Sequence, residues 1–193
     1  MKEKLLKSIL PVVALVLLMK ATSCKKSADP INYSGSAMLS ESRGSLAAAS
    51  AGNKILFAGG YGNNGGVSSD SKTVDIYDVV SNTWTTAQLS EGRAGVVAAA
   101  VGNVILFGGG YEPLFPPGGI GYIIDGGASN AVDICNISSN TWTKSRLSEA
   151  REYPVAAGAG NKILFAGGDI PPDSLHATYS ASNTVDIFTL SGQ

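Results

Sequence analysis

Gly52-Asn53-Lys54-Ile55-Leu56-Phe57-Ala58-Gly59-Gly60 decides the fold, because the chain repeats it twice more. It returns as Gly102-Asn103-Val104-Ile105-Leu106-Phe107-Gly108-Gly109-Gly110, and again as Gly160-Asn161-Lys162-Ile163-Leu164-Phe165-Ala166-Gly167-Gly168. Gly-Asn is a two-residue hairpin signal in which glycine supplies the positive φ of a tight turn. The Ile-Leu-Phe run is too short for a helix and is bounded by turn residues, so it reads as a strand.

The repeat extends to both sides of this stretch. Upstream, Leu39-Ser40-Glu41, Leu89-Ser90-Glu91 and Leu147-Ser148-Glu149 each open a unit, and Arg43, Arg93 and Arg151 follow two residues later. An Ala/Val-rich run comes next, at 46–50, 96–101 and 155–159, and reads as a first strand. Downstream lie Val74-Asp75-Ile76, Val132-Asp133-Ile134 and Val185-Asp186-Ile187; the first two units finish with Ser-Asn-Thr-Trp, at Trp84 and Trp142. The arginines are 50 and 58 residues apart, as are the glycine pairs. From the second glycine to the Asp the gaps are 15, 23 and 18 residues. One connection varies while the frame stays fixed. Four short strands per unit, with a third at 73–79 and a fourth from Thr83, make a propeller blade.

A glycine pair followed by an aromatic and, after six intervening residues, a Trp resembles the kelch repeat. Unit one has Gly59-Gly60, Tyr77 and Trp84; unit two has Gly109-Gly110 and Trp142, with Cys135 in the aromatic position; unit three has Gly167-Gly168 and Phe188. The resemblance implies an all-β, kelch-type β-propeller with about three four-stranded blades here (39–88, 89–146 and an incomplete 147–193), part of a six- or seven-bladed ring. Residues 31–38 fall in the register of a fourth strand and could close a last blade, as terminal strands do in kelch rings. Two arrangements remain open: a piece of a longer protein, which is the expectation, or two copies pairing into a six-bladed ring.

The N-terminus reads as an address. Lys2, Lys4 and Lys7 precede an apolar run of eleven residues, 9–19. That is short of the roughly 20 needed to span a bilayer and suits the h-region of a secretory signal. Ala21-Thr22-Ser23-Cys24 then resembles the lipobox of bacterial lipoproteins, with Ala21 where Leu is usual. The resemblance implies a signal at 1–23, lipid on Cys24, a tether over 24–38 and a lipid-anchored, extracytoplasmic site on the bacterial envelope, the outer membrane being expected. Residues 24–193 hold 10 basic and 14 acidic residues without a basic cluster, which argues against nucleic acid as a partner.

The variable connection is the natural binding element, since function on scaffolds concentrates in loops. The longest, 111–130, carries Phe115, Tyr122 and Asp125, suited to stacking on a sugar or gripping a peptide. Arg43, Arg93 and Arg151 are further candidates: either a collar holding ligand carboxylates or, more in keeping with strict repetition, bonds to carbonyls of a neighbouring blade and to the nearby Glu. Asp75, Asp133 and Asp186 read as hydrogen-bond acceptors at turns or strand ends. His176 is the only histidine, so no metal site and no copper centre of the galactose-oxidase kind is expected. Gly60 to Gly65 matches Gly-x-Gly-x-x-Gly, but no helix follows to bind a dinucleotide. The expectation is a non-catalytic scaffold for protein or carbohydrate, without a cofactor; the alternatives are an enzyme whose site uses further blades, or a structural envelope component.

Overall fold

The computed structural model describes residues 34–64, 67–114, 124–172 and 178–191. The chain divides into Met1–Ala37 and Met38–Gln193, and every described strand lies in the second unit. The leader and Cys24 lie outside the described residues. Residues 34–38 are exposed and belong to no strand.

The first blade is built from β1 (Ala47–Ala51), β2 (Lys54–Ala58), a ribbon of β3 (Tyr61–Asn64) and β4 (Val67–Asp70), then β5 (Thr73–Asp78) and β6 (Thr83–Gln88). Its sheet runs β1-β2-β5-β6, antiparallel throughout. The second repeats this with β7 (Val97–Val101), β8 (Val104–Gly108), the ribbon β9 (Tyr111–Leu114) and β10 (Ile124–Ala128), then β11 (Ala131–Asn136) and β12 (Thr141–Arg146). The third has β13 (Val155–Ala159), β14 (Lys162–Ala166), the ribbon β15 (Asp169–Ile170) and β16 (Ser180–Ala181), and β17 (Val185–Thr189). It is a three-stranded sheet of order β13-β14-β17.

Local chemistry sets these elements. Gly52, Gly102 and Gly160 take φ of 52°, 56° and 58° while the following Asn does not turn positive, the pattern of a hairpin with glycine first. The second glycine of each pair, with φ of 97–98°, runs against backbone of the turn before the first strand: a Cβ there would strike the carbonyl oxygen of Gly44, Ala94 or Glu152. Only glycine serves there.

Antiparallel order makes each blade two-faced. One face, called forward here, carries Ala47, Leu56, Val74 and Ile76 in blade one. It packs on the rear face of blade two, which carries Ile105, Phe107, Cys135 and Trp142. The forward face of blade two, with Ala99, Val104, Leu106 and Val132, meets Ile163, Phe165 and Phe188 of blade three in the same manner. Flanked on both sides, β8 is buried along its whole length, whereas β2 and β14 are not. Gly158 shows how tight the innermost strands lie: a Cβ there would fall 2.5 Å from the carbonyl oxygen of Ala100 in the preceding blade.

Candidate functional site

In every blade the start of the first strand and the end of the second lie at the same end. That end therefore gathers the opening turn with its Glu and Arg, and the ribbon. Isolated bridges tie the two together: Gly44 to Tyr61, Ala94 to Tyr111, Glu152 to Asp169. This end is the mouth.

The arginines do not line it as a collar. All three side chains are fully buried and committed to their own blade, not to a neighbouring one. One guanidinium nitrogen of Arg93 donates to the carbonyls of Gly109 and Ala131, each at 2.8 Å, and the other to Asp133 at 2.5 Å. Arg43 repeats this with Gly59, Thr73 and Asp75, and Arg151 with Gly167, Thr184 and Asp186. Each Arg thus clamps the end of its second strand to the start of its third. Nε sits 3.6–3.9 Å from Glu41, Glu91 or Glu149. The aspartates also accept from the backbone N–H of Ser40, Ser90 and Ser148, which fixes the opening turn. Burial lowers the pKa of Arg93, and Asp133 and Glu91 oppose that shift.

A third member of this network escaped sequence reasoning. Ser71, Ser129 and Ser182 each donate Oγ–H to the Glu and accept from the backbone N–H two residues on. The signal was present, since each serine stands four residues before the repeated Asp. Hydrogen bonds to Ser182, and then to Thr184, lower the pKa of Glu149.

Where the network repeats, three neighbouring positions do not. The turn before the first strand holds Gly44-Ser45 in blade one, Ala94-Gly95 in blade two and Glu152-Tyr153 in blade three. The middle of that turn is left-handed in all three, at φ 54° for Ser45, 63° for Gly95 and 48° for Tyr153. A tyrosine in that region costs about 1–2 kcal/mol. Tyr153 is nonetheless 52% exposed, so burial does not compel it. Its ring lies 5.4 Å from that of the buried Tyr111, tilted by 51°. Both rings rest over Gly95, where a Cβ would come within 3.0 Å of each. Burial, and then Tyr153, push the Tyr111 hydroxyl well above the usual phenol range; Tyr61 and Glu152 add to this. Glu152 is buried beside it.

Of the loop candidates, Phe115 and Tyr122 lie outside the described residues. Asp125 falls in β10 opposite Pro113, ahead of a bulge that ends at Ala128. The connection expected to be irregular is therefore a ribbon at its base. Beside it, at the same end, is a hollow of ≈ 300 Å³ lined by Glu91, Glu112, Gly127, Ser129 and Asn130. Asn130 and Glu91 also border a second hollow of ≈ 240 Å³ that reaches Lys144 and Arg146. Cys135 is buried in the interface between blades one and two, and burial raises its thiol to about 11. Among the described residues no group of three or more His, Cys, Asp or Glu is placed to hold a metal ion. No helix among them is long and apolar enough to cross a membrane.

No curated protein matches the chain. The kelch motif matches residues 42–88, the first blade. Among solved structures the chain resembles one titled "Structure of YjhT", at 20% identity and a TM-score of 0.55. That likeness covers 76% of this chain and 46% of the other, so the chain spans about half the length of the structure it matches. Four-stranded antiparallel blades, a kelch motif on the first and this likeness agree: the described body of the chain is made of kelch-type propeller blades.

Proposed function

We propose that this chain is a non-catalytic binding module that takes a protein or carbohydrate ligand at the mouth of its blades. The observation that carries the reading is Tyr153: a large aromatic held in a left-handed turn, half exposed, at a position where the other blades have Ser45 and Gly95. A large aromatic kept in a left-handed turn that the other blades fill with Ser45 and Gly95 points to function rather than to folding. Tyr153 and Tyr111 offer a braced aromatic surface of the kind that stacks on sugar rings or apolar side chains. Phe115, Tyr122 and Asp125 join the reading on sequence grounds. Arg43, Arg93 and Arg151 leave it, since no side-chain atom of theirs is open to a ligand.

The test is titration of the purified chain with a panel of neutral oligosaccharides and a panel of unstructured peptides, followed by ligand-observed NMR. Binding to one panel is expected, with at least a tenfold loss in Tyr153→Ala and a smaller loss in Phe115→Ala and Tyr122→Ala, at unchanged melting temperature. Equal binding by Tyr153→Ala overturns the assignment of the site. Anchoring to the bacterial envelope through Cys24 belongs to the same proposal and rests on the leader sequence. It predicts an N-terminal peptide of the native protein, beginning at Cys24, whose mass is raised by acyl chains.

A further inference from the structure

At the mouth of the second blade the repeated frame carries charges that the first blade lacks at the same positions. Blade two has blade one behind it and blade three in front, so its surroundings are those of an interior repeat. Glu112 stands where blade one has Gly62 and blade three has Ile170. Lys144 and Arg146 follow Trp142 as Thr86 and Gln88 follow Trp84, so two cations replace two neutral side chains. Asn130 stands where blade one has Lys72. The scaffold requires none of these changes, because blade one forms the same four-stranded sheet without them.

These residues border the two hollows beside the ribbon of blade two, which share Glu91 and Asn130 as a common wall. The hollow of ≈ 300 Å³ next to the ribbon has Glu112 and Glu91 as its charged lining. The hollow of ≈ 240 Å³ next to the outermost strand has Glu91 on one side and Lys144 and Arg146 on the other. Arg146 pairs with Ala131 at the mouth end of β12, and Lys144, two residues in, shares its face. Arg93 is balanced by Asp133, so Glu91, with its side chain 37% exposed, leaves a negative charge facing the hollows. Glu112 is exposed and lies close enough to raise the pKa of Arg93. Lys144 and Arg146 are exposed as well, and among the described residues neither is ion-paired with Glu91 or Glu112.

A polyanion here would meet Glu91 and Glu112, and a polycation would meet Lys144 and Arg146. A neutral sugar would displace water from both ends without offering a charge to either. Only a ligand carrying both signs, in the right order, complements the surface. Each hollow lies at or below the lower end of the about 300–1,000 Å³ usual for ligand pockets, which is room for a side chain rather than a whole small molecule. Alternate side chains of an extended peptide point the same way about 6.5–7 Å apart, a step suited to two hollows with a common wall.

We propose that the mouth of blade two takes an extended peptide segment with a basic and an acidic side chain two residues apart, the basic one between Glu91 and Glu112 and the acidic one against Lys144 and Arg146. The inference rests on the reading of the mouth as a binding surface and names its class of ligand, a protein segment of mixed charge.

The experiment is ligand-observed NMR of the purified chain with the capped peptides Gly-Lys-Gly-Glu-Gly and Gly-Glu-Gly-Lys-Gly, which cover both directions along the hollows. Each is compared with its norleucine-for-lysine and glutamine-for-glutamate forms. One direction is expected to bind better, and loss of either charge to weaken it about fivefold. In Glu112→Gln the dependence on the peptide lysine is expected to shrink while that on the glutamate stays. In the double variant Lys144→Thr and Arg146→Gln, which copies blade one, the reverse is expected. All three positions are exposed, so melting temperatures are expected to match the wild type. Equal binding of charged and neutral peptides, charge dependence that survives both sets of substitutions, or no binding of either peptide would overturn the proposal. Binding of neutral oligosaccharides alone would overturn it too, and would leave the Tyr153 assignment standing. Charge-dependent peptide binding that Tyr153→Ala leaves unchanged would uphold the proposal and sink the Tyr153 assignment.

Discussion

At the residue scale the repeated arginine is the strongest single constraint on each blade. A guanidinium buried at the mouth is tolerable only because two carbonyls and a carboxylate meet its donors in the fixed geometry of the fork. Arg93→Met should cost about 3–5 kcal/mol in urea unfolding, because Asp133 would remain buried without its cation. Arg93→Lys should recover little of it, since a single ammonium on a flexible stem cannot span Gly109, Ala131 and Asp133 together. Equal stability of the Lys and wild-type proteins would refute the clamp. Tyr153 is the opposite case, a residue the fold does not need. Replacing it by Gly removes the left-handed penalty, so Tyr153→Gly should be at least as stable as wild type by thermal unfolding while failing to bind. A clear loss of stability would show that the ring is structural.

At the element scale, sequence and structure meet in most places. The first strands expected at 46–50, 96–101 and 155–159 are β1, β7 and β13 within a residue or so, and the hairpin glycines turn as read. These were legible because period, turn chemistry and repetition all agreed. The ribbons were not. Tyr61–Asn64 and Val67–Asp70 are rich in Gly, Asn and Ser and lack apolar alternation; they pair because the ends of β2 and β5 are held side by side. The role of the arginines was half legible: the repetition pointed to structure, but their partners lie in the same blade, and only the three-dimensional path of the chain shows that. Tyr153 could not be found from residue type alone, since its meaning comes from a dihedral angle. The available signal was a mismatch, Tyr where the repeat has Ser45 and Gly95. Gly95 itself gives a test at this scale. Gly95→Ala meets both a φ of 63° and two rings at 3.0 Å, so it should cost roughly 1–2 kcal/mol and displace the tyrosine pair. Quenched or shifted tyrosine fluorescence should accompany the loss; an unperturbed spectrum would contradict the packing over Gly95.

At the scale of the whole molecule, stability should be shared between blades and the contacts that join them, as in any linear array of repeats. The three equivalent valines turn that statement into a measurement. Val74→Ala and Val132→Ala each remove two buried methyl groups from an interface inside the chain, and each should cost roughly 2 kcal/mol at any protein concentration. Val185→Ala trims the same side chain where it faces outward, and in dilute protein it should cost almost nothing. A cost near zero for Val185→Ala, beside about 2 kcal/mol for Val74→Ala and Val132→Ala, would show that this side chain stabilises only where a further blade packs on it and a fourth strand flanks it. A cost approaching that of its two counterparts would mean that something outside the described residues covers the third blade's forward face, because a half-exposed valine on an edge strand has too few buried contacts to lose that much by itself.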